Sequence, residues 1–235
     1  MAERERLPGE LNRLRRDRLP RWINEVPVGA RILDLGCGQG HLLAALHKIG
    51  YTNLYGVDLS EQMLASARRL LPDSVSLVCA DVRDFVFSTR PETFEVIFFH
   101  DVLEHLPRED VLEVLRALYR MLKLEGRLSV RVPNMSCIIA GYCTSIDFTH
   151  ISHFTEWSLK QLLEVSGFSI GKIKLISQAP RLFWSWKAPH SMVFRMLNRT
   201  RWHLNNLLHK GTYIITDMRP RPSVFDPNLV VVATK

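Results

Sequence analysis

The spacing of hydrophobic positions along this chain switches repeatedly between two periods, dividing it into alternating strands and helices. Short runs rich in aliphatic and β-branched residues, at 31–35, 53–57, 75–79, 94–99, 127–132, 169–176 and 229–234, read as strands. Between them, apolar residues recur at helical spacing over about 41–49, 60–70, 108–123 and 155–165. The punctuation agrees. Gly50 and Gly167 close helices, Ser60 and Thr155 stand where an N-cap is needed, and Pro72 and Pro133 stop what precedes them. The run 94–99 is almost wholly apolar, as a strand buried on both faces should be. Such alternation predicts an α/β fold with a doubly wound, seven-stranded, mostly parallel sheet.

Three stretches stand outside this rhythm. Residues 1–25 read as a basic amphipathic helical lead-in anchored by Leu11, Leu14, Trp22 and Ile23, broken at Pro27 and Gly29. Residues 134–154 read as loop. Residues of about 178–226 form an insertion before the last strand, with a helical run from Ser191 to Leu208. The expected organisation is a lead-in at 1–27 followed by one domain at 28–235.

Charge changes the picture only once it is located. The net charge is +7, and residues 178–222 alone hold eight lysines and arginines against one acid, Asp217. In the insertion Phe183, Trp184 and Trp186 precede a helix carrying Met192, Val193, Met196, Leu197, Leu204, Leu207 and Leu208, with Arg195, Arg199 and Arg201 among them. A basic amphipathic helix with aromatic neighbours fits a peripheral membrane contact through 178–210. It fits equally a lid or subunit contact that packs its apolar face and leaves the arginines in solvent. A local patch of this kind points away from general nucleic-acid binding. The four cysteines, Cys37, Cys79, Cys137 and Cys143, have no CxxC spacing and suit free thiols in a reducing cytoplasm. The charged beginning of the chain lacks the apolar core of a signal peptide, and no apolar run is long enough for a membrane span.

The chemistry concentrates after the first strand, at Leu33-Asp34-Leu35-Gly36-Cys37-Gly38-Gln39-Gly40. Glycines at such spacing let the chain turn sharply and let a ligand approach the backbone. Dinucleotide-binding folds use a similar loop, but there a pyrophosphate sits on bare amides at a helix N-terminus. Here Asp34, Asp58, Asp81, Asp101 and Glu104 fall at the expected C-terminal ends of strands, a concentration of acid that suits a cationic ligand at the switch point of the sheet. Asp58 is placed to accept hydrogen bonds from both hydroxyls of a ribose.

The segments ILDLGCGQG, YGVDLS, CADVRDF and FEVIFFHDVLEHLP, in this order, resemble the successive motifs of class I S-adenosylmethionine (SAM)-dependent methyltransferases. LKLEGRLSVRVPN is similar to their fifth strand, where LKPGG is more usual. The resemblance covers 28–177 and the final strand. It implies Gly36, Gly38 and Gly40 with Cys37 around the methionine moiety, Asp34 near its ammonium group, Asp58 on the ribose, Leu59 beside the adenine, and Asp81 with Val82 at the adenine edge. His100 would lie beside the methionine portion. Cys37 is expected to fill space rather than to act as a nucleophile.

His100-Asp101-Val102-Leu103 stands where methyltransferases of base amines and glutamine amides carry Asn/Asp-Pro-Pro-aromatic, so that substrate class is disfavoured. Asp147-Phe148-Thr149-His150-Ile151-Ser152-His153-Phe154-Thr155 resembles a small-molecule subgroup, many encoded with glycan-assembly enzymes. The reading that follows is transfer of a methyl group to a hydroxyl of a sugar or glycan intermediate, with S-adenosylhomocysteine as by-product. His150 is the expected general base, His153 the second candidate and His105 the third, each competing with a capping or loop-pinning role. The rivals are an aromatic or quinone-like acceptor, a binding protein without turnover, RNA modification and, weakest, a dehydrogenase. No metal is expected: a set of His100, Asp101 and His105 lacks further ligands.

Overall fold

In a computed structural model, the described residues are 19–137, 140–145, 147–176, 189–216, 219–220 and 222–235. The expected seven strands are present: β1 Ile32–Leu35, β2 Leu54–Asp58, β3 Ser76–Cys79, β4 Phe94–His100, β5 Leu122–Pro133, β6 Ile173–Leu175 and β7 Asn228–Thr234. They form one sheet in the order β3-β2-β1-β4-β5-β7-β6. β1 to β5 run parallel, and β7 is antiparallel to both β5 and β6. The helices are α1 His41–Lys48, α2 Glu61–Leu70, α3 Val82–Ser88, α4 Arg108–Met121, α5 Ala140–Ser145, α6 Glu156–Val165 and α7 Pro189–Ile215.

Alternation along the strands divides the core between the two faces of the sheet. Leu33, Ile97, Phe99 and Val130 pack with Val114, Leu118 and Met121 of α4 and Leu159 of α6. Ile32, Leu54, Val96 and Phe98 pack with Leu43 and Leu46 of α1 and Leu64 of α2. Each fully buried side chain of this size stabilises the fold by roughly 1.5–3 kcal/mol. The end of the lead-in joins the second cluster: Ile23 is buried, and the Trp22 ring stacks on Phe98 with centroids 5.7 Å apart. The other expected anchors, Leu11 and Leu14, lie outside the described residues.

Both expected caps form. The Ser60 hydroxyl accepts from the amide of Met63, and Thr155 and Ser158 make a reciprocal capping box at the start of α6.

Five expectations need correction. Residues 82–88, left unassigned by the periodicity, form α3. The 134–154 stretch contains α5 rather than loop throughout. Glu125–Gly126 does not end α4 before a fresh strand; α4 ends at Met121 and β5 begins at once, crossing Glu125 (φ 59°) through a register shift against β4. The strand expected over 169–176 shrinks to β6, after a 3-10 turn at Ile170–Lys172. The helix expected at 191–208 is longer, running through Ile215, while Phe183, Trp184 and Trp186 lie outside the described residues.

Candidate cofactor and acceptor site

β1 delivers the glycine loop to the C-terminal edge of the sheet, between its neighbours β2 and β4. Gly36, Gly38 and Gly40 all have positive φ, at 82°, 50° and 75°. Gly36 is further constrained, since a Cβ there would come within 2.3 Å of Val102 Cγ2. At Gly38 a Cβ would meet nothing within 4 Å, so its backbone is open to approach. The amides of Gly36 and Cys37 donate to the Val57 carbonyl at 2.8 and 2.9 Å, fastening the loop to β2. Asp58 completes that attachment: its Oδ2 accepts from the Gly38 amide at 2.7 Å and its Oδ1 from Ser60 at 2.9 Å. Each oxygen keeps a further lone pair for an incoming hydroxyl. Leu59, beside it, is 69% exposed, an apolar side chain offered to solvent at a strand end.

Cys37 is buried, and burial pushes its thiol well above the ordinary range, leaving it protonated. That agrees with a space-filling residue and not with a nucleophile.

A cavity of about 360 Å³ opens beside the loop, lined by Asp34, Gly36, Cys37, His41, His100, Asp101 and Arg131, with Leu19 and Pro20 along one side. Asp34 is buried, and desolvation raises its carboxyl to about 7. Nearby Arg131 opposes that rise and Asp58 adds to it. His100 lines this cavity. Its Nε2 lies 2.8 Å from Ser129 Oγ, and burial, reinforced by Arg131, depresses it to about 3, so the ring is neutral.

The five acids do not act as one set. Asp101 is held by Arg131 through Nε–Oδ1 at 2.8 Å and a second contact from Nη2 to Oδ2. Asp81 caps α3 by accepting from the Arg83 amide at 2.8 Å, and the Arg83 side chain also pairs with it. Val82 is simply the first residue of that helix. Among the described residues, Asp34, Asp58 and Glu104 remain as the acids of this set with no arginine hydrogen-bonded to them. Arg131 is the functional candidate that the sequence reading missed. Its signal was a lone cation near the C-terminal end of an apolar strand, SVRVP.

Of the three candidate bases, the structure brings two together. The His105 and His150 rings lie 4.8 Å apart, and their nitrogens gather with a carboxylate oxygen of Glu104 within 4.8 Å. Backbone bonds hold this arrangement: the amides of Ile151 and Ser152 both donate to the Glu104 carbonyl, at 3.0 and 2.9 Å. Glu104 is buried and raised to about 7, chiefly by desolvation. Its Oε2 and the Nδ1 of His150 have no hydrogen-bond partner among the described residues. These three donors, rather than His100, Asp101 and His105, are the group whose chemistry would suit a divalent metal.

The remaining contacts fix a tautomer. His105 Nδ1 lies 3.2 Å from the carbonyl of Thr149, which can only accept, and 2.8 Å from its Oγ1. Thr149 Oγ1 in turn donates to Asp147 Oδ1 at 2.7 Å. Nδ1 of a neutral His105 therefore carries the proton, and Nε2 carries the lone pair. His153 does not join this cluster; it lines a separate groove with Arg108 of α4 and Gln161 of α6.

Residues 32–126 match the methyltransferase domain family. Over 111 residues the chain is 35% identical to the ubiquinone biosynthesis O-methyltransferase of Pseudomonas fluorescens (strain SBW25), covering 46% of this chain and 47% of that protein. The chain thus spans about half the length of the curated relatives it matches. A SAM-dependent methyltransferase from Archaeoglobus fulgidus superposes with a TM-score of 0.65 at 22% identity, over 97% of this chain and 94% of that one. Another, from Mesorhizobium loti, gives 0.60 at 21% identity over 93% and 98%. The described residues therefore share the fold of these SAM-dependent methyltransferases, and residues 32–126 match the methyltransferase domain family.

Proposed function

We propose that this chain is a SAM-dependent methyltransferase acting on a hydroxyl of a small-molecule acceptor, with a sugar or glycan intermediate as the first reading. The observation that carries it is the hydrogen-bonded line Asp147–Thr149–His105, which leaves Nε2 as the acceptor of a ring that lies beside His150 and Glu104.

The cofactor fits the residues around the glycine loop. Uncommitted buried acid at Asp34, a ribose acceptor at Asp58, an exposed apolar side chain at Leu59 and an open backbone at Gly38 suit a cationic nucleoside with no phosphate. In this reading Gly36, Cys37, Gly38 and Gly40 line the methionine portion with neutral His100, while Asp81 and Val82 border the adenine. When bound, SAM supplies an electrophilic sulfonium methyl, so that alignment of the nucleophile provides much of the rate. His105 Nε2 takes the proton of the acceptor hydroxyl as it attacks, and Glu104 with His150 stabilises the imidazolium formed. Asp147 holds the ring through Thr149. His150 is thus assigned a supporting position, and His153 none.

Polar lining from His41, Asp101 and Arg131 supports a sugar-like acceptor. The Pseudomonas fluorescens relative, named for ubiquinone biosynthesis, supports a phenolic or quinone-like acceptor as the second reading. The reading takes 28–235 as one domain with a lead-in at 1–27. It sets the protein in the cytoplasm, in keeping with free thiols at Cys37 and Cys79. Transfer of labelled methyl from SAM to two panels, sugars and catechols, tests it. A methyl ether on either supports hydroxyl transfer and chooses the acceptor; methylation confined to amines would overturn it.

A further inference from the structure

The helix α7 faces the wrong way for a lid. Its inner side is made by Trp202, His209 and Tyr213. Trp202 Nε1 donates to Asp226 Oδ1 at 2.5 Å, the Tyr213 hydroxyl donates to the Ser136 carbonyl at 3.1 Å, and buried His209 packs on Phe225. The aliphatic residues lie opposite. Met196, Leu197, Leu204, Leu207, Leu208, Ile214 and Ile215 are between 52% and 86% exposed. At 100° per residue they occupy an arc of roughly 120°, centred almost directly away from the inner side. Among the described residues the stripe is thus turned outward and does not pack on the core as a lid would.

Charge selects the occupant. Residues 189–215 contain four lysines and arginines and no acid. Arg201 flanks the apolar arc on one side, Arg199 and Lys210 on the other. In a two-fold pairing of copies the same patch would meet itself, setting these cations against each other with no acid on the helix to pair them. An anionic lipid surface takes both features at once: the aliphatic arc enters the acyl boundary and the flanking cations meet the headgroups. Among the described residues no helix is long and apolar enough to cross a membrane, so this one would lie in the interface plane. The helix rests on Ser136 and on 225–226, which adjoin the paired ends Pro133 and Asn228 of β5 and β7. That is the sheet edge bearing the glycine loop.

We infer that α7 is an interfacial helix that docks this chain on an anionic bilayer, with the cofactor edge of the sheet beside the membrane. The inference goes beyond the choice of acceptor and does not depend on it. The test is co-sedimentation of the full chain with vesicles of phosphatidylglycerol and phosphatidylcholine, or of phosphatidylcholine alone. Binding to the anionic vesicles should exceed that to the neutral ones by roughly 100-fold, from three basic side chains at the surface, and should weaken with salt. The double variant Leu204→Glu/Leu208→Glu, on exposed positions, should abolish binding while keeping the thermal midpoint and S-adenosylhomocysteine affinity of the parent. The triple variant Arg199→Gln/Arg201→Gln/Lys210→Gln should lose the salt-sensitive part alone. Equal binding to both vesicle types, binding that survives Leu204→Glu/Leu208→Glu, or a stable dimer that the double variant dissociates would each overturn the inference.

Discussion

The carboxylate of Asp58 accepts the amide proton of Gly38 at 2.7 Å, joining the end of β2 to the middle of the glycine loop. One side chain thus shapes the loop and stands where the ribose of the proposed cofactor would lie. Asp58→Ala removes both roles. It is expected to lower affinity for S-adenosylhomocysteine about 100-fold or more, since each hydrogen bond to a charged group contributes roughly 1.5–3 kcal/mol. Titration calorimetry checks this, and unchanged affinity would remove Asp58 from the site.

Asp34 gives the site a pH dependence whose sign follows from burial. Its carboxyl is raised to about 7, so in the free protein it is protonated below that value and ionised above it. A cationic ligand favours the ionised form, and affinity for SAM should therefore climb as pH rises from 6 to 8. Glu104 also titrates near 7, whereas His100, depressed to about 3, stays neutral throughout. Asp34→Asn should flatten the part of the profile that belongs to Asp34. The same raised value means that Asp34 stabilises the fold less as pH climbs from its unfolded value near 4 toward 7. Asp34→Asn should accordingly raise the thermal midpoint at pH 8 while weakening the cofactor. A steep affinity profile that persists in Asp34→Asn would assign the dependence elsewhere.

The line from Asp147 through Thr149 to His105 predicts a split between turnover and binding. His105→Gln should lower kcat by about 100-fold or more, the range of a positioned general base, with S-adenosylhomocysteine affinity nearly unchanged. Thr149→Val should act in the same direction but more weakly, because it frees the ring without removing it. His153→Ala should leave turnover intact. Full activity in His105→Gln with a large loss in His150→Ala would return the role to His150.

Gly36 combines a φ of 82° with a would-be Cβ only 2.3 Å from Val102 Cγ2. Gly36→Ala is expected to destabilise by about 2 kcal/mol, lowering the thermal midpoint by roughly 5 °C, through backbone strain and the clash together. Val102→Ala in the same chain should recover the share due to the clash and leave the share due to strain. A Gly36→Ala protein with parental stability would show that the loop is more yielding than its geometry implies.

How far the sequence carried this picture depended on how strongly each segment declared itself. The β1 loop, the apolar run of β4 and the caps at Ser60 and Thr155 were legible because each is a local signal with one structural solution. α3 was not: VRDFVFS is short, rich in weak helix formers and buries only Val86, so the Asp81 cap was its sole herald. β5 was misread at Glu125–Gly126, since a positive φ that looks like a turn here serves a bulge against β4. The acids at the strand ends were countable, but their partners were not. Arg131 and Arg83 reach Asp101 and Asp81 from 30 and two residues away, and only the fold reveals those pairings. Likewise the periodicity of α7 showed an apolar stripe without its direction. The direction is set by the partners that Trp202 and Tyr213 find in Asp226 and Ser136.

A site for a cationic nucleoside at the glycine loop is probed by calorimetric titration of the full chain with S-adenosylhomocysteine, with NAD as control. One-site binding of the first and none of the second is expected. Binding of NAD, or of neither, would contradict it.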